Sequence, residues 1–155
     1  MLWYKILIKH LKKNNYFPNS NLLFLSLFLF ILFLVVEVTL RIWDLYKHIP
    51  MVDVPSHFFA GMAVGCLTYW IYLMTPAKHK NLMALFITII ISLIWELLEI
   101  VQEKLLPDPP HLSDFFFWDG VWDTVVAIIG ATILLYVILP YLRKKTSFFK
   151  KIDIQ

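Results

Sequence analysis

The chain of 155 residues has a single cysteine, Cys66, so neither a disulfide framework nor a cysteine-based zinc site can be built from it. Its four glycines exclude a collagen-like or glycine-rich low-complexity array. Charge is scarce too: 16% of residues are Asp, Glu, Lys or Arg, against about a quarter in a soluble domain. The phosphate-cradling G-x-x-x-x-G-K, the nucleophile elbow G-x-S-x-G and the zinc-binding H-E-x-x-H are all missing. What is abundant is apolar surface, with 60% hydrophobic and 17% aromatic residues. Water cannot be the main solvent of such a chain, and its length suits one domain. These features predict a small all-α integral membrane protein that crosses the cell (inner or plasma) membrane several times.

Four apolar stretches predict a four-transmembrane-helix bundle. Leu22 to Val36 is interrupted only by Ser26 and continues to about Trp43. At ~1.5 Å per residue it covers a ~30 Å hydrocarbon core. The other spans are expected at about 54–74, 82–105 and 119–140. Pro55 is tolerated in a first turn, where its missing N–H is harmless. Pro107, Pro109 and Pro110 close the third span, and Pro140 is expected to end the fourth. Residues 1–21 read as a retained arm, because no small-residue cleavage site follows the apolar run. Lys5, Lys9, Lys12 and Lys13 share one face of that arm, which suits an interfacial helix on anionic membrane lipids or a basic tail.

Charge is segregated along the chain. The arm, the loop carrying Lys78 and Lys80, and the tail 143–155 (Arg143, Lys144, Lys145, Lys150, Lys151) hold eleven of the fourteen basic residues. The positive-inside rule makes these segments, and both termini, cytoplasmic. Ten of the eleven acids, all but Asp153, then fall in or near the outer half, with only Arg41, Lys47 and Lys104 as cations. Trp43, Trp95, Trp118 and Trp122 mark the same interface.

Within that half, three pairs have helical spacing: Asp53 with His57 and Asp119 with Asp123 at i, i+4, and Glu96 with Glu99 at i, i+3. Each pair lies on one helix face, so all three can point to a common centre. Glu96 is ~21 Å along its span, level with the starts of the second and fourth. Below the pairs the faces turn small, with Gly61 and Gly65 on one helix and Ala127 and Ala131, beside Gly130, on another. Such stripes let helices approach closely. Glu37, Arg41 and Asp44 add a fourth polar stripe on the first span. Grouping so many carboxylates is costly unless they are protonated or paired with cations. Carboxylates from several helices plus one imidazole suit a divalent metal site, with magnesium, calcium or manganese favoured by the oxygens and zinc or iron by His57. A structural reading stands beside this one: Asp53 and Asp119 can stabilise helix N-termini, a lone carboxylate can fix helix register, and Arg41 can snorkel to the interface.

The segments Asp53-Val-Pro-Ser-His57-Phe-Phe-Ala-Gly61, Trp95-Glu96-Leu-Leu-Glu99 and Trp118-Asp119-Gly-Val-Trp122-Asp123, followed by Gly130-Ala131, resemble the YjdF-like family of small inner-membrane proteins and, more distantly, VanZ-like proteins. The resemblance covers roughly Asp53 to Ala131. It implies that Asp53, His57, Glu96, Glu99, Asp119 and Asp123 form a shared polar set. The family pattern has another acid three positions before the first Asp of the last motif. Phe116 stands there in this chain, so either a ligand is missing or Glu37 replaces it.

Three functions are open on these residues. The first is a metal-dependent hydrolase or transferase acting on a lipid or lipid-linked head group, with Asp53, His57, Glu96, Glu99, Asp119 and Asp123 as metal ligands, Glu37 as candidate catalytic base and Arg41 binding an anionic substrate. The second is a cation- or proton-coupled transporter, which needs a polar route through the midplane. The third is an assembly protein with a structural polar core, alone or as a homo-oligomer. The basic residues are accounted for by topology, so no nucleic-acid partner is expected.

Overall fold

A computed structural model describes residues 20–43, 45, 48–49, 51–75, 77–105 and 116–145. The basic arm, Asp44, Lys47, Asp108, Asp114, Lys150, Lys151 and Asp153, and the side chains of Glu103, Lys104 and Phe116, lie outside the described residues. All regular structure among them is helical: α1 (Ser20–Ile42), α2 (Val54–Leu73), α3 (Lys80–Leu105), α4 (Phe116–Ile133), a π-helical turn (Leu134–Ile138) and α5 (Leu139–Lys145). The last three form one continuous rod.

Three rods are long and apolar enough to cross a membrane: Ser20–Ile42, Lys80–Val101 and Trp118–Lys145. Their outward faces are apolar, as lipid requires, with Phe24, Phe28, Val35, Leu82, Leu97 and Val137 exposed. The expected second span corresponds to α2, which is 20 residues long and does not meet the same standard. The reason is its position. It packs against α1, α3 and α4, so protein covers most of its circumference. Ser56, His57, Gly61, Gly65, Thr68 and Tyr69 are accordingly buried on it.

Side chains and missing side chains both hold the rods to α2. Ser26 on α1 donates to the Ala63 carbonyl at 2.9 Å, and the buried Cys66 thiol donates to the Leu22 carbonyl at 3.3 Å. On the α3 side, Thr68 reaches the Ala84 carbonyl at 3.4 Å. Ser92 of α3 bonds Thr124 of α4 at 3.4 Å. The closest approach is that of α2 to α4. A methyl group on Gly61 would overlap the Ala127 backbone, and one on Gly130 would overlap the Phe58 carbonyl. Gly65 faces the Ala131 side chain, to which a Cβ would come within 2.9 Å. Small residues bring these two backbones into direct contact.

Pro140 does not end the fourth rod, which runs on to Lys145, so the start of the expected tail at 143 is helical. Proline removes one backbone donor, and its ring collides with the carbonyl four residues back. The π-helical turn ahead of it, in which the Leu139 N–H bonds the Leu134 carbonyl, opens the ladder there and lets the helix continue. The rod also begins earlier than expected, at Phe116 rather than Asp119.

Substituting Gly61→Ala should cost roughly 1–3 kcal/mol, because the added methyl meets backbone that cannot rotate away. Tryptophan-fluorescence melts in detergent should show a lowered transition, whereas a wild-type melt would contradict the close contact.

Candidate functional site

Asp53 and His57 stand at the start of α2. Pro55 sits in the first turn, and the Ser56 hydroxyl donates to the Asp53 carbonyl at 2.8 Å. Asp53 occupies the N-cap position, yet its side chain makes no capping bond. Its backbone (φ −87°, ψ −5°) is already helical, whereas a capping residue takes an extended conformation that turns its side chain back onto the helix N–H groups. The approach is strained, since Met51 has a φ of 54°, a region that costs a side-chain-bearing residue about 1–3 kcal/mol. The Asp53 carboxyl is thereby left for the bundle, with Oδ1 buried and without a hydrogen-bond partner. The dipole-stabilising role that sequence allows Asp53 is not expressed as a cap.

His57 is the centre of the arrangement. It is 8% exposed, with Nδ1 3.9 Å from Glu96 Oε1 on α3 and Nε2 3.7 Å from Asp123 Oδ2 on α4. Both separations are too long for hydrogen bonds. Glu96 Oε1 is itself buried and unpartnered, and Asp123 is 4% exposed. Two sets of donor atoms therefore meet on one imidazole. Asp53, His57 and Asp123 form one, and His57, Glu96 and Glu99 the other, each with its ligand atoms within 4.8 Å of one another.

The remaining expected residues lie around this centre in different ways. Asp119 belongs to neither set, but it is near enough to interact electrostatically with Asp53 and His57. Glu99 is engaged, accepting a bond from the Trp95 indole at 2.8 Å. Glu37 and Arg41 pair with each other across one turn of α1, at 2.6 Å, with Arg41 the more exposed partner. Their charges reach Glu99, so this ion pair borders the cluster. Burial pushes the Asp53 carboxyl above its ordinary 3.8, a backbone hydrogen bond at the same residue opposes the rise, and the Glu37 charge adds to it.

Two contributors were read from sequence only as interface or motif residues, not as parts of the site. Gly120 leaves room for Glu96, whose Oε2 would lie 2.8 Å from any Cβ placed there. Trp95 anchors Glu99 and meets Phe33 of α1 edge to face, with ring centres 6.3 Å apart. The signals were present, in the glycine directly after Asp119 and the i, i+4 step from Trp95 to Glu99.

A carboxyl whose proton is held more tightly in the folded chain contributes stability that is full below the unfolded value of 3.8 and is lost as pH rises through the raised folded value. In chelator-treated protein, Asp53→Asn should therefore melt with the wild type near about pH 4 and above it at about pH 7. Parallel melting-temperature profiles for the two proteins would show that Asp53 carries no such penalty.

Comparison with known proteins bears on the membrane reading. Neither the curated proteins nor the solved structures contain a significant match to the chain. A protein family does: residues 2–144 match the one described as "Predicted membrane protein (DUF2238)", and the chain, with three helices fit to cross a bilayer, belongs to that family.

Proposed function

We propose that the protein is a four-span, multi-pass protein of the cell membrane with both termini cytoplasmic, and that the His57-centred cluster binds divalent metal. The topology rests on the basic arm, loop and tail. In it α2 crosses as the inner, protein-covered rod. The YjdF-like motifs, and more distantly the VanZ-like ones, fall on the cluster residues and fit this reading.

One observation carries the metal assignment. The imidazole stands between Glu96 and Asp123 at 3.9 and 3.7 Å, while Asp53 Oδ1 and Glu96 Oε1 are buried without partners. Ligand atoms around one ion are about 3–5 Å apart, given metal–ligand bonds of about 2.0–2.6 Å. The separations thus suit groups that meet through a cation better than groups that bond directly. His57 binds one ion through one nitrogen, so the metal would be held either by Asp53, His57 and Asp123 or by His57, Glu96 and Glu99, with the carboxylates at the other nitrogen orienting the ring and Asp119 at the edge. One nitrogen among hard oxygens favours manganese or zinc, with magnesium or calcium served by the carboxylates alone.

Bound there, a divalent ion supplies Lewis acidity toward a phosphoryl or carbonyl oxygen. The chain's own contribution is positional. Arg41, exposed and tethered by Glu37, offers a guanidinium to an anionic head group, and Glu37 is placed to accept a proton when that pair opens. Together these support a hydrolase or transferase acting on a lipid or lipid-linked head group. Conduction is less well supported, because Leu22, Cys66, Ala84, Leu134, Leu135 and Leu139 close the opposite half at no more than 2% exposure. A purely structural core is disfavoured by the two unpartnered carboxylate oxygens, which fix no register.

Protein purified without chelator should carry stoichiometric manganese or zinc by elemental analysis, and His57→Ala and Glu96→Ala should lose most of it while remaining folded. Chelation should lower the melting temperature of the wild type and leave His57→Ala unchanged. A metal-free protein with full activity in native membranes would refute the assignment.

A further inference from the structure

The end of the bundle away from the cluster holds a half-buried guanidinium with no carboxylate partner among the described residues. Arg143, in α5, directs its guanidinium onto Tyr69 of α2. One terminal nitrogen donates to the phenol oxygen, and the guanidinium carbon lies 5.3 Å from the ring centre. Tyr69 is 6% exposed, and its bond ties the half-buried Arg143 side chain to the base of the rod. The Arg143 Nε–H is buried and has no acceptor. So is the indole N–H of Trp70, the next residue on α2.

These orphans are all donors. A guanidinium remains charged at any physiological pH and offers five N–H groups in a fixed fork, of which a neutral phenol satisfies one. Burying part of such a cation without an acceptor is unfavourable. The described carboxylates do not relieve it, since Glu37, Asp53, Glu96, Glu99, Asp119 and Asp123 all belong to the opposite end. The neighbouring side chains add positive charge, because Lys144 and Lys78 are exposed at the same end. The missing partner is an anion with several acceptor oxygens, in a place that lipid head groups occupy.

We propose that Arg143, oriented by Tyr69, binds the phosphate of an anionic phospholipid in the leaflet at the basic end of the bundle. The fork matches two phosphate oxygens, Lys144 and Lys78 select a net negative head group over a zwitterionic one, and Trp70 presents its N–H at the same level. This site is independent of the metal assignment.

The test is the thermal stability of the full chain in mild detergent, titrated with phosphatidylglycerol, phosphatidylcholine or inorganic phosphate. Phosphatidylglycerol should raise the wild-type transition, and Arg143→Gln should weaken the apparent lipid affinity about tenfold, the loss of a charge-assisted hydrogen bond. Arg143→Lys, which keeps the charge and loses the fork, should fall between them. It decides alone where the glutamine variant does not fold, a wild-type response from it overturning the proposal. An equal response to phosphatidylcholine overturns it, as does an equal response to inorganic phosphate, which would mark a free-phosphate site. Asp153→Asn lowering the lipid-free melt as much as Arg143→Gln would assign the guanidinium to the chain's own tail, with the same result.

Discussion

Direct contact between the backbones of α2 and α4 sets the geometry on which the polar cluster depends. Gly61 meets Ala127 one helical turn below His57 and one turn below Asp123 respectively. With the two rods touching there, the next turn up must bring the imidazole and the aspartate close, and they stand 3.7 Å apart. Gly130 against Phe58 repeats the contact with the roles of the helices exchanged. A wider helix separation, as between rods of leucine, would leave these side chains too short to share a centre. Gly120 performs the equivalent service for α3, leaving space beside α4 for the Glu96 carboxylate. The small residues are therefore part of the site, although none carries a functional group.

Concentrating charge in that way creates the cluster's second constraint. Carboxylates on α2, α3 and α4 share one end of the bundle, and the described cation nearest them, Arg41, is already paired with Glu37. In a low-dielectric setting such groups must acquire protons or positive partners. His57 cannot serve them all, since its two nitrogens face separate carboxylates at distances beyond a hydrogen bond. The strained turn at Met51 and the uncapped start of α2 point the same way. Asp53 forgoes a capping bond typically worth about 1 kcal/mol and leaves Oδ1 unpartnered among the other acids.

Much of this arrangement was legible in spacing. Pairs at i, i+4 on separate helices, each followed at i+4 by glycine or alanine, specify faces that must lie inward, and these faces meet. What spacing did not convey were the local choices of the backbone. Pro140 reads as a stop, because a proline's effect on a regular α-helix is disruptive; a π-helical turn is a tertiary accommodation without a sequence signature of its own. Asp53 reads equally as a cap or a ligand, and only its helical ψ, fixed by the turn before it, separates the two. α2 reads as a span like the others, yet its polar and small residues, from Ser56 and His57 to Thr68 and Tyr69, reflect burial against three neighbouring helices. Glu37 and Arg41 read as base and anion binder, and spacing alone did not convey that they also pair with each other across one helical turn.

The two ends of the bundle are related by the same physics with opposite sign. Between them lies a tightly closed apolar middle, where Leu134, Leu135, Leu139 and Cys66 are almost wholly buried. That barrier prevents either end from neutralising the other, because charges separated by most of a bilayer interact weakly compared with the cost of burying each of them. Among the described residues, carboxylate oxygens at one end lack donors, and at the other a guanidinium Nε–H and an indole N–H lack acceptors. A bundle folded only to bury its own polar groups would have used one set to satisfy the other within a single layer. Keeping them apart, each held by packing and each short of partners, is the arrangement that the two proposed ligands require: cations at the acidic end, and anionic head groups at the basic one.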